Sequence, residues 1–285
     1  MFRFEDQIIP LDDWIGSFID WLVEGYRWFF QAIKWPVEVT LSGMENGLLA
    51  LPPLLIIAVF ALIAWRSSGV KLAIFSAFTL TLIGLLGLWA ATMTTLAMVF
   101  SSVVFCTLVG IPLGIWAGRS DRFDSVLRPL LDAMQTTPAF VYLVPIVMLF
   151  SIGNVAGVLA TIIFSLPPII RLTSLGIRQV HPELIEAAQA FGATNHQVLL
   201  KVQIPMAMPT IMAGLNQTMM MALSMVVIAA LIGAGGLGAP VVLGLNTLDI
   251  GLATIGGLAI VLLAIILDRI TQSLGQKTQK NGRRS

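Results

Sequence analysis

Residues 94–118 read TTLAMVFSSVVFCTLVGIPLGIWAG, a run of 25 residues without a charged side chain. An α-helix rises about 1.5 Å per residue, so about 20 apolar residues cross a hydrocarbon core roughly 30 Å thick. This run is long enough and apolar enough to span a bilayer as a single helix. It predicts a membrane protein.

The composition of the whole chain agrees with that prediction. Of its 285 residues, 57% are apolar and only 11% are charged, and the mean hydropathy is +0.92. Soluble domains average about 45–50% apolar and about 25% charged residues. The formal net charge of +1 offers no strongly basic surface, and the single cysteine excludes an internal disulfide. We therefore expect the lipid bilayer as a partner of the chain, and no nucleic acid.

Six further apolar windows are bounded by charged or polar residues. Together with the first run they predict an all-α membrane protein with about seven transmembrane helices and an additional amphipathic helix near the N-terminus. The predicted spans are residues 47–65, 71–90, 94–118, 129–150, 155–175, 209–232 and 250–268.

The basic residues predict how these spans are oriented. Lys and Arg accumulate in loops that stay in the cytoplasm, and here they fall in alternate connections between the spans. We expect an extracytoplasmic tail over residues 1–45, which includes the amphipathic helix, and a transmembrane domain over 46–270. A basic cytoplasmic tail follows over 271–285, so the N-terminus lies outside and the C-terminus inside.

Tryptophans recur every seven residues ahead of the first span. Trp14, Trp21, Trp28 and Trp35 share one stripe of a helix that is predicted to end before Pro36. Acidic residues on the opposite face favour an amphipathic helix at the outer membrane interface. The alternative is an aromatic site for a cationic ligand, but tryptophans in a row along one helix do not surround a ligand.

The longest predicted cytoplasmic connection, residues 176–208, is the least apolar part of the transmembrane domain. Pro182 suits the first turn of a helix, Glu183 and Glu186 favour its positive end, and Gly192 can end it. The pattern predicts a short helix whose small and apolar face docks on another protein. A solvated loop without a partner is the alternative.

The same connection carries a spaced motif. The sequence EAA at Glu186–Ala188 is followed after three residues by Gly192 and, after nine more, by VQIP at Val202–Pro205. This pattern resembles the EAA loop of ABC importer permeases, with Val202 and Ile204 as conservative departures. The resemblance implies the type I importer fold. It also implies that these residues couple the chain to an ATPase: Glu183, Glu186, Ala187, Ala188, Gly192 and Pro205.

Other motifs narrow the resemblance to one branch of these permeases. They are DAMQTTPAFVYLVP at 132–145, SLPPIIR at 165–171, the pair Asn216–Gln217 and GAGGLG at 233–238. These stretches look like those of permeases from glycine betaine/proline betaine importers. The resemblance implies a membrane-spanning subunit that forms the translocation path for such osmoprotectants.

The resemblance also implies the partners of the chain. They are two copies of a cytoplasmic ABC ATPase that binds ATP and Mg, a second copy of this permease, and an extracytoplasmic substrate-binding protein. The sequence has no GxxxxGK[ST] phosphate loop, so the nucleotide is expected on the ATPase. We expect no catalytic residue, cofactor or metal site in this chain, and a location in the bacterial inner membrane.

Polar side chains inside the spans nominate the translocation path, because such groups are costly in lipid. Asn216 and Gln217 point about 100° apart on a helix, so at most one of them faces a narrow path. Hydrogen bonding between helices is the alternative for each candidate, and core packing is the alternative for the methionine. The candidates are Gln135, Thr136, Thr137, Asn216, Gln217 and Met220.

Two groups of glycines predict further structural features. Gly110, Gly114 and Gly118 are spaced by four residues, which predicts close contact with a neighbouring helix. The glycine-rich segment 233–238 predicts a flexible extracellular turn that belongs to an outer gate or a docking rim.

Three other functions are alternatives to this interpretation. A permease for another quaternary amine, such as choline or carnitine, would show the same motifs. An ion-coupled secondary carrier would show inverted repeats and embedded ionisable groups, whereas no repeat is visible and Asp132, Asp249 and Asp268 fall near span ends. An intramembrane enzyme would need Cys or His nucleophiles or paired carboxylates at membrane depth.

Overall fold

The computed structural model describes the backbone of residues 11–282, and this part of the chain is helical with no strand. The predicted tail residues Arg283 and Arg284 lie outside the described residues. The helices are α1 (Leu11–Gly25), α2 (Arg27–Ala50), α3 (Pro53–Ser68), α4 (Val70–Leu85), α5 (Trp89–Arg119), α6 (Asp121–Thr136), α7 (Leu143–Phe150), α8 (Asn154–Arg178), α9 (Pro182–Ala190), α10 (Asn195–Val198), α11 (Ile204–Ile228), α12 (Gly238–Thr247) and α13 (Ile250–Gly282).

Every predicted span falls on an apolar helical segment. Within the described residues, four segments are long and apolar enough to cross a membrane as continuous helices: Trp89–Arg119, Asn154–Arg178, Asn195–Ile232 and Ile250–Ser273. The count reaches six when two bent helix pairs are each taken as one span, and α4 is a shorter apolar helix. The predicted windows are therefore apolar and helical. Three of them are not continuous helices over their predicted length: residues 47–65, 71–90 and 129–150.

The first window, residues 47–65, is not one helix. The chain bends by 106° between α2 and α3, and Leu51 adopts an extended ψ of 139° there. Pro52 and Pro53 explain the break, because proline has no N–H and disfavours helix at the residue before it. The expected boundary between tail and transmembrane domain at residue 45 consequently falls inside α2. The second window also ends early, since α4 stops at Leu85.

Pro36 does not end the N-terminal helix, contrary to the prediction. It lies inside α2, and the interruption occurs ten residues earlier at Tyr26. Val37 and Leu41, just beyond the proline, are buried in the same apolar core as α5. This burial offsets the one backbone hydrogen bond that a proline removes.

The tryptophan stripe points away from the rest of the protein, as an interfacial helix requires. The exposed fractions are 61% for Trp14, 57% for Trp21, 70% for Trp28 and 67% for Trp35. The stripe is divided between α1 and α2. Its location at the outer membrane surface stays a prediction.

The centre of the fold is formed by α5, α8 and α11. The three glycines of α5 allow the close approach that their spacing predicts. A Cβ atom at Gly110 would lie 2.4 Å from Ile169 Cγ2, and one at Gly114 would lie 2.7 Å from the carbonyl oxygen of Ile170. At Gly118 it would lie 2.8 Å from Cβ of Ile177. Because real Cβ atoms do not approach so closely, only glycine permits this packing of α5 against α8.

Candidate coupling loop and translocation path

The loop between α8 and α11 contains the short helix that the sequence predicts. Helix α9 begins with Pro182 in its first turn, where a missing N–H leaves no intrahelical bond unmade. Glu183 lies in the same turn and complements the positive end of the helix dipole. The helix ends at Ala190, and Gly192 adopts a left-handed φ of +82°. That conformation favours glycine, so the sequence sets both ends of α9.

The surface of α9 is open. None of its residues is buried, and Glu186 and Ala187 are exposed while Ala188 is half-buried. Leu184 is 41% exposed and Phe191, directly after the helix, is 92% exposed. Apolar side chains held on a helix away from the main core are typical of a docking surface for another protein.

The second half of the loop is ordered by hydrogen bonds and continues into α11. The Thr194 hydroxyl accepts a bond from the backbone N–H of Gln197, and the Gln197 amide oxygen accepts one from the backbone N–H of Thr194. A π-helical turn, Leu199–Gln203, continues into α11, where Pro205 occupies the first turn. The segment between α9 and α11 is therefore ordered by hydrogen bonds rather than being a slack linker.

The fourth predicted window, residues 129–150, is broken in its middle. Helix α6 and the segment that starts at Ala139 meet at 105° around Thr137 and Pro138. Because Pro138 has no N–H, the carbonyl of Met134 loses its partner four residues further along the chain. The Tyr142 hydroxyl donates a hydrogen bond to that carbonyl. The Tyr142 ring also packs edge-on against Phe164 of α8, with centroids 6.2 Å apart.

The sequence interpretation did not identify Tyr142. The available signal was a proline inside an apolar window with a hydroxyl-bearing side chain four residues later. Together the two residues form a bend whose freed carbonyl is satisfied inside the protein, as broken membrane helices require.

The three candidates at this bend have different surroundings. Gln135 and Thr136 are exposed and Thr137 is half-buried. The hydroxyls of Thr136 and Thr137 both donate to the carbonyl of Ala133, at 3.2 and 2.8 Å. Among the described residues, no partner is seen for the Gln135 amide. Of the three side chains, that of Gln135 is thus the one whose polar atoms are available to bind another group.

The adjacent candidates Asn216 and Gln217 on α11 separate as their positions on a helix demand. Asn216 Nδ2 donates to Asp268 Oδ1 at 3.2 Å, and its Oδ1 accepts a bond from Thr271. Asn216 thus ties α11 to α13, which is the helix-to-helix alternative left open for it. It also borders a groove of about 510 Å³ between the two helices.

Gln217 points about 100° away from Asn216 around α11 and is exposed. Ala213 and Ser224 are also exposed, four residues before and seven after Gln217, so the three share one face of the helix. Met220 is half-buried beside this face. Helix α11 contacts the turn Ala139–Tyr142 at the bend. Gln217 and the bend therefore lie on two helical segments that are in contact with each other.

The glycine-rich segment 233–238 is not the flexible turn that its composition predicts. Asn154 Oδ1 accepts a bond from the N–H of Gly235 at 2.6 Å, and Thr95 Oγ1 accepts one from the N–H of Leu237 at 2.8 Å. A Cβ at Gly236 would lie 2.5 Å from Thr95 Oγ1. These glycines allow close packing, and two side-chain hydrogen bonds hold the segment against α5 and α8.

Helices long and apolar enough to cross a membrane, with one break beside neutral polar groups, are typical of a membrane transport component. Residues 110–280 match the family described as the binding-protein-dependent transport system inner membrane component. The chain belongs to this family and is a multi-pass permease of the inner membrane.

Two relatives extend the likeness over nearly the whole chain. The chain is 57% identical over 281 residues to the glycine betaine/proline betaine transport system permease protein ProW of Escherichia coli (strain K12), covering 99% of this chain and 79% of that protein. It is 46% identical over 274 residues to the glycine betaine transport system permease protein OpuAB of Bacillus subtilis (strain 168), covering 96% and 97%.

A solved structure has the same fold. The native crystal form of the inward-facing MetNI methionine ABC transporter matches with a TM-score of 0.56 and 26% identity. The match covers 66% of this chain and 92% of the MetNI chain. The type I importer architecture expected from the EAA loop is confirmed.

Proposed function

We propose that this chain is the permease subunit of an ATP-driven importer for glycine betaine and proline betaine. The observation that carries the proposal is its identity with betaine permeases over almost the whole chain. These solutes combine a quaternary ammonium with a carboxylate and have no net charge. Their path needs no buried counter-ion, which agrees with the neutral exposed residues at the α6–α7 bend and on α11.

The proposed path runs between that bend and the exposed face of α11. Gln135, Thr136 and Thr137 contribute from one side, and Gln217 and Met220 from the other. An amide within a membrane span is costly when it faces lipid, so an exposed amide favours a polar path or a second copy of the chain. Asn216 stabilises the position of α11 by holding it to α13.

Two copies of the permease enclose the path, and each presents α9 to one copy of a cytoplasmic ATPase that binds ATP and Mg. Glu183, Glu186, Ala187 and Ala188 supply the docking surface, while Gly192 and Pro205 set the segments that follow the helix. When the ATPases close on ATP, the two α9 helices approach and the spans switch from inward to outward opening. An extracytoplasmic binding protein then delivers the solute.

A charge reversal on α9 tests this coupling. Glu186→Lys is expected to insert normally but to lower both betaine uptake and binding-protein-stimulated ATP hydrolysis by roughly tenfold or more, because a docking charge is reversed. Glu24→Lys, an exposed glutamate of α1, is the matched control and is expected to leave both rates unchanged. Unchanged uptake in Glu186→Lys would remove α9 from the mechanism.

The orientation follows from the positions of the basic residues: the N-terminus is extracytoplasmic and the C-terminus cytoplasmic. A reporter active only in the cytoplasm, fused after Ser285, is expected to be active, and the same reporter ahead of Met1 to be inactive. Activity at both ends would require an even number of crossings and would contradict the orientation.

The substrate is tested with vesicles that hold the permease and its ATPase, with ATP inside and the binding protein outside. Labelled glycine betaine is expected to accumulate, and excess unlabelled proline betaine to compete with it. Excess choline or carnitine is expected to leave the uptake unchanged. Accumulation of labelled choline or carnitine in place of glycine betaine would assign the importer to another quaternary amine.

A further inference from the structure

A cluster of charges lies where α8 leads into the coupling loop. Arg178, in the last turn of α8, donates to Asp121 Oδ1 at 2.5 Å and to the carbonyl oxygen of Ala117 at 2.7 Å. Its second guanidinium nitrogen is 3.7 Å from Asp124 Oδ2. Arg128 donates to the same Asp124 oxygen at 2.7 Å. One arginine therefore joins the end of α5, the first turn of α6 and the end of α8.

The helix ends favour this arrangement. Asp121 and Asp124 lie in the first turn of α6, and Arg178 lies in the last turn of α8. Each charge complements the dipole of its own helix, and the opposite charges then face each other. The Asp124 side chain is only 18% exposed and that of Arg178 34%, so solvent screens this contact less than an open surface pair. The Asp121 side chain, in contrast, is 91% exposed.

A second ion pair joins the same two helices near the C-terminal end of α6. Arg171 of α8 donates to Asp132 of α6. Between the two charged contacts lies a cavity of about 290 Å³, lined in part by Leu131, Ile170 and Ser174. Leu131 is the one buried residue of α6. Helix α6 is thus held to α8 by charges at two points beside this cavity and by the apolar cluster in which Leu131 packs with Ile169 and Ile170.

The position of this cluster gives it a mechanical consequence. Arg178 lies four residues before Pro182, where α9 begins, and α6 ends at the bend that carries Gln135 and Thr136. A displacement of α9 reaches α8 directly along the chain. It reaches α6 if α6 follows α8, and this adds a route to the bend beside the direct contact between Tyr142 and Phe164 of α8.

We propose that Arg178 is a positioning residue that makes α6 move with α8, so that motion of the coupling helix reaches the bend in the translocation path. Asp121 and Asp124 are its partners, and the Arg171–Asp132 pair holds the far end of α6. This inference rests on the proposed function, because it assigns a role within ATP-coupled transport.

The first test measures the number of ATP molecules hydrolysed per betaine imported. Arg178→Glu is expected to insert into the membrane and to hydrolyse ATP, but to raise this ratio roughly threefold or more. This is the size of effect that mutations between two coupled sites typically have. Arg178→Glu combined with Asp121→Arg restores an opposite-charge pair and is expected to recover most of the coupling. Arg122→Glu, at an exposed position on α6 for which no ion pair is seen among residues 11–282, is the matched control.

The charge swap separates positioning from folding. Loss of a purely structural contact would lower the amount of folded protein without changing the ratio in the molecules that remain. An unchanged ratio in Arg178→Glu, or a raised ratio that the swap fails to lower, would overturn the proposal.

A second test does not depend on the transported solute. Spin labels at Val126→Cys on α6 and Leu175→Cys on α8, in a Cys106→Ser background, report the distance between the two helices. With Arg178 present, this distance is expected to be the same with and without ATP, and with Arg178→Gln to differ between the two states. A distance that changes with ATP while Arg178 is present would contradict the proposal even if the vesicles import no betaine. Absent betaine uptake with an invariant label distance would instead count against the proposed substrate.

Discussion

The contacts that α8 makes with α5 differ in kind from those that it makes with α6. Helix α5 approaches α8 over three glycine positions, with side chains and backbone in direct contact. Helix α6 is joined to α8 by ion pairs on either side of a cavity and by a small apolar cluster around Leu131. Tightly packed surfaces resist small displacements, whereas exposed charge pairs contribute little stability. The comparison indicates that packing makes α5 and α8 a stable frame, and that α6 follows this frame only while its ion pairs are intact.

The largest expected effect is on the packed side of this comparison. Gly114→Ala places a Cβ 2.5 Å from Thr173 Cβ and 2.7 Å from the Ile170 carbonyl oxygen. Because backbone atoms cannot move aside cheaply, it is expected to destabilise the fold by about 1–3 kcal/mol. Thermal unfolding in detergent measures this loss. Gly257→Ala in α13, where a Cβ meets open space, is the matched control, and equal unfolding temperatures for the two variants would refute the close packing.

An intermediate effect is expected at the bend. Tyr142→Phe keeps the ring against Phe164 but removes the hydroxyl that satisfies the carbonyl of Met134. A hydrogen bond to a part-buried carbonyl contributes about 0.5–1.5 kcal/mol, so both thermal stability and the rate of betaine uptake are expected to fall. Tyr26→Phe, at the other tyrosine of the chain, is the control. If the two variants unfold and transport alike, the hydroxyl of Tyr142 has no part in holding the bend.

The smallest effect on stability is expected on the charged side. Asp132→Asn weakens the pair with Arg171, whose side chain is 38% exposed and faces an aspartate that is 57% exposed. Surface pairs contribute about 0–1 kcal/mol, so the unfolding temperature is expected to stay close to that of the parent protein. Asp20→Asn in α1 provides the reference. A loss as large as that of Gly114→Ala would show that α6 is part of the stable frame.

The features that the sequence predicts well are those set within one stretch of chain. Apolar windows, the ends of α9 and the glycine spacing on α5 depend on neighbours a few residues apart. Pro36 was misjudged because burial of Val37 and Leu41 against distant helices outweighs a local signal. The segment 233–238 was misjudged because Asn154 and Thr95, far away in the chain, hold it in place.

The parts of the candidate site that could not be predicted depend on tertiary contacts. The Arg178 guanidinium meets Asp121 across 57 positions of the sequence and Ala117 across 61. No local pattern pairs one arginine with one aspartate among several of each. Helix geometry predicts that Asn216 and Gln217 point in different directions. That Asn216 is the one that bonds to α13 could be known only from the position of Asp268 in the structure.

The most direct test of the central claim omits one component at a time from reconstituted vesicles. Labelled glycine betaine uptake is measured with this chain, its ATPase, the binding protein and ATP, and then with each of the four withheld. The account predicts accumulation only when all four are present. Uptake driven by this chain alone, without ATPase or ATP, would contradict the account and identify a secondary carrier.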